Sequence, residues 1–330
     1  MAQVAPERLV VAADLGGTRL RVAAVGPTGQ ILVRRSQPTR AEEGVESVLD
    51  RLEQEMAAVV QAVGRERVQA LAVAVAGPVN PWTGVVHTAP NLPGWHEVPL
   101  KTHLEARLGL LTLVGNDANL AALGEQRFGV GRGAHHLVYL TVSTGIGGGI
   151  IHNGQLLLGA EGLAGEVGHM TVDPDGPRCG CGNFGCLEAL ASGSAIARRM
   201  VERLRAGEPS AVRAMVQDDL DRVTAEVVVT AARLDDPVAR SVMAEAARYL
   251  GIGVASLVHL FNPECVIIGG GVANAGPLLF LPVEAEVQQR VMLAFRRRLT
   301  IRRAILGDDV GVLGAAALAF QHLDRTSPPA

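Results

Sequence analysis

Three of the four cysteines in this 330-residue chain, Cys179, Cys181 and Cys186, stand within eight positions, the first of them ten residues after His169. The spacing is H-x9-C-x-C-x4-C, and Gly180, Gly182 and Gly185 let the backbone fold tightly around an ion. Three thiolates and one imidazole form a closed tetrahedral donor set, the pattern of a structural rather than a catalytic Zn2+. Free thiols are the competing use of the same residues. Cys265, isolated in ECVIIGG, reads as a small core residue.

Glycine-rich turns follow apolar runs three times, at Asp14–Thr18 (DLGGT), Ser143–Gly149 (STGIGGG) and Gly269–Gly271. Glycine lets backbone N–H groups approach phosphate oxygens, and Thr18 and Thr144 add hydroxyl donors. Any one of these turns also suits a tight hairpin. Three in one chain point to a phosphate-bearing ligand at Gly16, Gly17, Thr18, Thr144, Gly145, Gly147, Gly269 and Gly270. STGIGGG is followed by strand-like IIHNG and not by a helix, so the dinucleotide-binding fingerprint fails on context.

Four carboxylates and an amide complete the chemistry. Asp14, beside its turn, either holds Mg2+ through water or caps the turn locally. In GNDAN, residues 115–119, Asn116 and Asp117 read equally as helix caps or as a hydroxyl-fixing amide with a general base. Glu166 and Glu188 bracket the cysteine segment. Two close carboxylates would suit glycoside hydrolysis, but that conflicts with three phosphate-type turns, so they read as acceptors for sugar hydroxyls.

Composition removes whole classes of function. The only lysine, Lys101, lies in GWHEVPLKTHLEAR away from every glycine turn, which disfavours a Walker loop, a protein-kinase lysine and a Schiff base. A formal charge of −3 gives no general attraction to nucleic acid or anionic membrane. The start MAQVAPERLVVAADLGG has no signal-peptide pattern and no apolar run reaches spanning length, so the expected address is cytoplasmic, where clustered thiols serve as metal ligands.

Elements must position these groups. RLVVAAD, LRVAAVG and QILVRRS read as a three-stranded meander. Thr39 and Glu42 have capping-box spacing before a helix whose core face is Val45, Val48, Leu49, Leu52, Met56, Val59, Val60 and Val63. VQALAVAVAG reads as a strand covered on both faces, with further strands at LLTLVGND, HLVYLTVSTG and CVIIGGG. Helices are expected around 193–206 and 237–260, and the small-residue run GVLGAAALAF closes the chain as another. VVAADLGGTRLRVAAV and VYLTVSTGIGGGIIHNG share the order strand, glycine turn, strand, which suggests two related halves. At this length two domains are expected.

DLGGT, GNDAN, STGIGGG, EVGHM with CGCGNFGCLE, and NPECVIIGGG occur in this order, and together they resemble the ROK family of bacterial sugar kinases and repressors from about residue 9 to about residue 320. PNLPGWHEVPL, residues 90–100, is similar to the glucokinase branch. The resemblance implies an α/β, actin-like ATPase (ribonuclease H-like) fold of two α/β domains with an interdomain cleft. The expected division is residues 1–120, joined by a C-terminal helix at about 308–322, and 121–307 with the zinc loop. It also implies ATP with Mg2+, a structural Zn2+ held by His169, Cys179, Cys181 and Cys186, and Asp117 as the base for a sugar 6-hydroxyl. Asn91, Asn116, Asp117, Glu166, His169 and Glu188 match sugar-contacting positions, His169 also binding zinc through its other ring nitrogen. The turns at 14–18 and 143–149 match phosphate positions, and 269–271 matches a nucleotide position.

Glucose is the expected sugar. Mannose, fructose, allose, N-acetylmannosamine and N-acetylglucosamine kinases share the frame, and polyphosphate is an alternative donor. Part of the family regulates transcription through an N-terminal winged helix, and only about eight residues precede the first strand here. Expected partners are therefore a small sugar and a nucleotide, with no nucleic acid and no membrane, in a homodimer or homotetramer.

Overall fold

The computed structural model describes residues 8–326. The chain begins with β1 (Leu9–Leu15), β2 (Arg19–Val25), β3 (Ile31–Pro38), α1 (Val45–Val63) and β4 (Val68–Val75). Short strands β5 (Val79–Asn80), β6 (Val85–Thr88) and β7 (His96–Val98) precede α2 (Leu100–Leu108), β8 (Thr112–Asn116) and α3 (Asp117–Arg127). Next come β9 (Leu137–Val142), β10 (Ile146–His152), β11 (Gln155–Leu156), α4 (Leu187–Ala191), α5 (Gly193–Arg205), α6 (Ala211–Met215) and α7 (Ala225–Arg233). The chain ends with α8 (Pro237–Phe261), β12 (Cys265–Gly269), α9 (Pro277–Arg290), β13 (Thr300–Arg303) and α10 (Val310–Thr326). Two compact units result: one takes in the chain through Gly133, Leu156–Ala164 and the chain from Leu306, the other Ala134–Gln155 and Gly165–Ile305.

The first unit is built on a sheet of order β3-β2-β1-β4-β8. The meander is antiparallel, whereas β1, β4 and β8 run parallel. Leu9, Val11, Ala13 and Leu15 share a core with Leu49, Leu52 and Met56 of α1, so the alternate residues of β1, including Asp14, turn to the other face. There α10 packs, with Gly311 directly over the Asp14 carboxylate. The helical face expected for α1 is buried at Val48, Leu49, Leu52, Met56, Val59, Val60 and Val63.

The capping box does not form. Gly44 is the N-cap of α1, a 3-10 turn at Ala41–Glu43 intervenes, and the Thr39 hydroxyl donates instead to the Gly16 carbonyl at 2.6 Å. Thr39 is buried, and the glycine turn offers it an acceptor that its own helix start lies too far away to rival.

The second unit has a sheet of order β11-β10-β9-β12-β13, in which β9 and β10 form an antiparallel hairpin and β12 runs parallel to β9 and β13. Each unit therefore repeats one plan: a hairpin closed by a glycine turn, extended by parallel strands. Helix α8 corrects the expectation that no segment reaches spanning length, since it is long and apolar enough by those measures alone. Its apolar window is 61% buried, and Val242, Ala246, Leu250 and Val254 belong to the core of this unit. Cys265 is buried in β12, where burial pushes its thiol up to about 11.

In the first unit α3 and α10 touch through their backbones. A Cβ on Gly314 would lie 2.2 Å from the Leu120 carbonyl oxygen, while one on Gly124 would lie 3.0 Å from the Gly314 nitrogen. Alanine gains about 1 kcal/mol of helix propensity over glycine, and a forced backbone shift costs about 1–3 kcal/mol. Gly314→Ala is therefore expected to lower stability by about 2 kcal/mol and Gly124→Ala to leave it within about 1 kcal/mol. Urea midpoints check this, and equal shifts in both variants would refute the close-packing account.

Candidate active site

In the first unit, Leu15 pairs with Val75 and Val75 with Asn116, so the Gly16–Thr18 turn and Asn116–Asp117 leave the same carboxyl edge of the parallel strands. That edge is where open α/β sheets hold their ligands. Asn91 joins them. A Cβ on Gly17 would lie 2.6 Å from both the Asn91 Cβ and its carbonyl oxygen, so only glycine lets the turn meet this segment. Asn91 and Thr18 are exposed, whereas Asp14, Gly16, Gly17, Asn116 and Asp117 are half-buried.

Asn116 caps α3, its Oδ1 accepting from the N–H groups of Ala118 (3.0 Å) and Asn119 (3.1 Å). Its Nδ2 donates to the Gly77 carbonyl at 3.1 Å, which leaves one amide hydrogen for another acceptor. Asp117 starts α3 and its Oδ1 accepts from the Ala118 N–H at 2.8 Å. The capping reading of GNDAN holds for Asn116, and Asp117 is held beside it at the start of α3.

Asp14 pairs across the hairpin with Arg21, whose Nη1 donates to Oδ2 at 3.1 Å. Burial raises the carboxyl above its ordinary range, and the Arg21 guanidinium pulls it back.

In the second unit the turn after β9 is closed by the Ser143 N–H donating to the Gly145 carbonyl, and the start of α5 docks on it through Gly193 and Ser194. Gly147 lies in β10 opposite Thr141, and Gly269 pairs with Thr141 from β12. Gly269 is buried under Tyr139, while Gly270 is exposed with φ 83° and packs on the Val142 backbone. A cavity of about 670 Å3 opens here, between Ser143 and Thr144, the α5 start, α7 and the turn at Gly271–Ala275. Its volume is in the range of small-ligand pockets. Thr224, Glu226, Thr230, Arg233 and Asn274 line it and were missed by sequence reasoning. The amphipathic spacing of α7 carries no motif. The SGS at 192–194 was the one local signal, with Ser192 capping α5.

The His169 and cysteine donor atoms lie within 4.8 Å of one another. Cys179 Sγ is 3.7 Å from His169 Nδ1, and Cys181 Sγ is 3.7 Å from Cys186 Sγ. A tetrahedron with Zn–S bonds of about 2.3 Å has S···S edges of about 3.8 Å, so the cluster fits Zn2+. Burial pushes the Cys186 thiol up to about 12, aided by its two cysteine neighbours. A thiolate there needs a cation beside it.

The 3-10 turn Val167–His169 lies against β10, because Gly168 leaves room where a Cβ would sit 1.9 Å from the Ile146 carbonyl oxygen. Cys186 is the N-cap of α4, which carries Glu188, and Glu188 Oε2 accepts from the Ile146 N–H at 2.9 Å. Glu188 and the glycine hairpin are thereby joined. Glu166 is exposed just ahead of the His169 turn, its carbonyl accepting from the His169 N–H.

A profile of the ROK family matches residues 10–322. The chain is 37% identical over 318 residues to the glucokinase of Thermotoga maritima, covering 96% of this chain and 99% of that one. A ROK family glucokinase from Streptomyces griseus, solved in complex with glucose and AMPPNP, has a TM-score of 0.79 at 36% identity, covering 95% and 99% of the two chains. The ROK hexokinase of Thermus thermophilus has a TM-score of 0.82 at 36% identity, covering 96% and 99%. The fold is accordingly the α/β, actin-like ATPase class. Matched almost end to end by the family profile and by these relatives, the chain belongs to the ROK family.

Proposed function

We propose that the protein transfers the γ-phosphoryl group of ATP to the 6-hydroxyl of D-glucose, yielding ADP and D-glucose 6-phosphate. The observation that carries this reading is the near full-length similarity to glucokinases, one of them solved with glucose and AMPPNP. A half-buried carboxylate at a strand end and two glycine turns supply the chemistry that the reaction needs.

In this mechanism Asp117 accepts the proton of the glucose 6-hydroxyl as its oxygen bonds to the γ-phosphorus and the bond to the bridging β,γ-oxygen breaks. The transition state is loose, so positioning matters more than base strength. Asn91, Glu166 and the remaining Asn116 amide hydrogen bind sugar hydroxyls. His169 contributes through Nε2, because Nδ1 faces the cysteines, and Glu188 through the oxygen that Ile146 does not occupy.

The turns bearing Gly16, Gly17 and Thr18 and Thr144, Gly145 and Gly147 receive phosphate oxygens. Gly269 and Gly270 lead into Gly271, which lines the cavity for the nucleoside. Asp14 would hold Mg2+, and the ion would supply charge neutralisation at the phosphates. His169, Cys179, Cys181 and Cys186 would hold Zn2+, which would do no chemistry there and would anchor the loop that orients His169 and Glu188. Assembly as a homodimer or homotetramer is the arrangement that the family resemblance implies.

Glucose is expected to give the highest kcat/KM with Mg·ATP in a panel with mannose, fructose and the two N-acetylhexosamines; preference for any other sugar reassigns the substrate. Asp117→Asn should lower kcat by at least about a thousandfold while calorimetry finds glucose affinity nearly unchanged. Substantial residual turnover would remove Asp117 as the base. Elemental analysis should find one zinc for each chain, and Cys186→Ser should lose the metal, lower Tm and raise KM for glucose more than for ATP. A metal-free protein that is still folded and active would overturn the zinc assignment.

A further inference from the structure

Helices α4 and α5 are separated by one residue, Ser192, whose backbone is extended and whose hydroxyl oxygen caps α5. In an unbroken helix the N–H groups of Gly193 and Ser194 would bond to the carbonyls of Ala189 and Leu190, four residues back. They donate instead to the Ser143 and Thr144 carbonyls of the glycine turn, at 2.7 and 3.2 Å. Two carbonyls of α4 thereby lose their helical partners. Side chains of α5 replace them: Nη2 of Arg198 donates to the Ala189 carbonyl at 2.6 Å, and Nη2 of Arg199 to the Leu190 carbonyl at 3.2 Å.

Arg199 is 9% exposed and lies beside Ile196 and Met200 on the buried face of α5, where an apolar side chain would be the ordinary choice. A buried guanidinium is costly unless its charge and its donors are met. Glu245 of α8 meets the charge, 3.1 Å from Nε, and the Tyr249 ring lies 6.0 Å away. Nη1 is buried with no hydrogen-bond partner among the described residues, so the α4 carbonyl is what the inward placement secures. The Tyr249 hydroxyl in turn donates to Asp173 Oδ2 at 2.9 Å, so α8 holds the metal loop ahead of Cys179 as well as the helix that follows Cys186. Helix α4 has five residues, one of them Glu188, and a helix this short depends on outside partners.

We infer that Arg199, seconded by Arg198, is a positioning residue that replaces the backbone donors α4 yields to the glycine turn and so fixes the Glu188 carboxylate for the sugar. The inference rests on the proposed role of Glu188 in sugar binding. Arg199 acts through Glu188 and touches no reacting atom.

The test combines calorimetric titration of the full chain with glucose and with AMPPNP and hydrogen exchange at residues 187–192. The variants are Arg199→Met and Glu245→Gln, each alone and combined with Glu188→Gln. Arg199→Met should speed exchange at 187–192, weaken glucose about tenfold and leave AMPPNP within about twofold. Glu245→Gln, at a half-exposed site, should do the same in smaller measure and carries the test if Arg199→Met does not fold. With Glu188→Gln already present, Arg199→Met should add nothing to the loss of glucose affinity. Unchanged exchange, equal weakening of both ligands, or a full effect in the Glu188→Gln background would each overturn the inference. Native protein that binds no sugar, while Arg199→Met still speeds exchange, refutes the sugar reading of Glu188 and upholds the hold of Arg199 on α4.

Discussion

The register of the parallel strands is the constraint on which the candidate site depends. Because β1, β4 and β8 end level, a glycine turn, the Gly77 carbonyl and the Asn116–Asp117 corner come to one edge of one sheet. Neighbouring strands are about 4.8 Å apart, so groups on β1 and β8 are separated by about the width of a small ligand. A slip of one residue in β8 would turn Asn116 and Asp117 to the wrong faces. Thr39 and Asn91 then secure the turn from either side, through a hydroxyl to the Gly16 carbonyl and a backbone contact at Gly17.

In the second unit the same hairpin is tied to a metal-sized cluster. Cys186 ends the loop and begins α4, Glu188 follows within the first turn, and its carboxylate takes the Ile146 N–H at the start of β10. His169 is pressed onto that strand through Gly168. The cluster, the glutamate and the phosphate-type turn therefore form one continuous set of contacts. An ion held by this cluster would fix where His169 and Glu188 stand.

Charge is managed locally. With one lysine and a net charge of −3, the chain exerts no general attraction on anions, at its glycine turns or elsewhere. Asp14 shows the cost of placing an acid there: burial disfavours its ionised form and Arg21, its cross-strand partner, offsets that.

The sequence by itself determined what depends on a short window of chain. Strand-like apolar runs marked the meander and the buried strand β4, three- and four-residue steps marked the core face of α1, and the thiol spacing marked the metal set. Both glycine hairpins were legible because turn and flanking strands are contiguous. Only the tertiary structure decided which distant groups meet: Asn91 against Gly17, Gly311 over Asp14, Gly124 against Gly314, and α7 as the wall of a cavity. It also decided between uses open to one residue, sending the Thr39 hydroxyl to Gly16 instead of a helix cap and committing most of Asn116 to the start of α3. The physical reason is that propensity and periodicity act between neighbours in the chain, while close backbone approach and pocket walls arise from packing whole elements together.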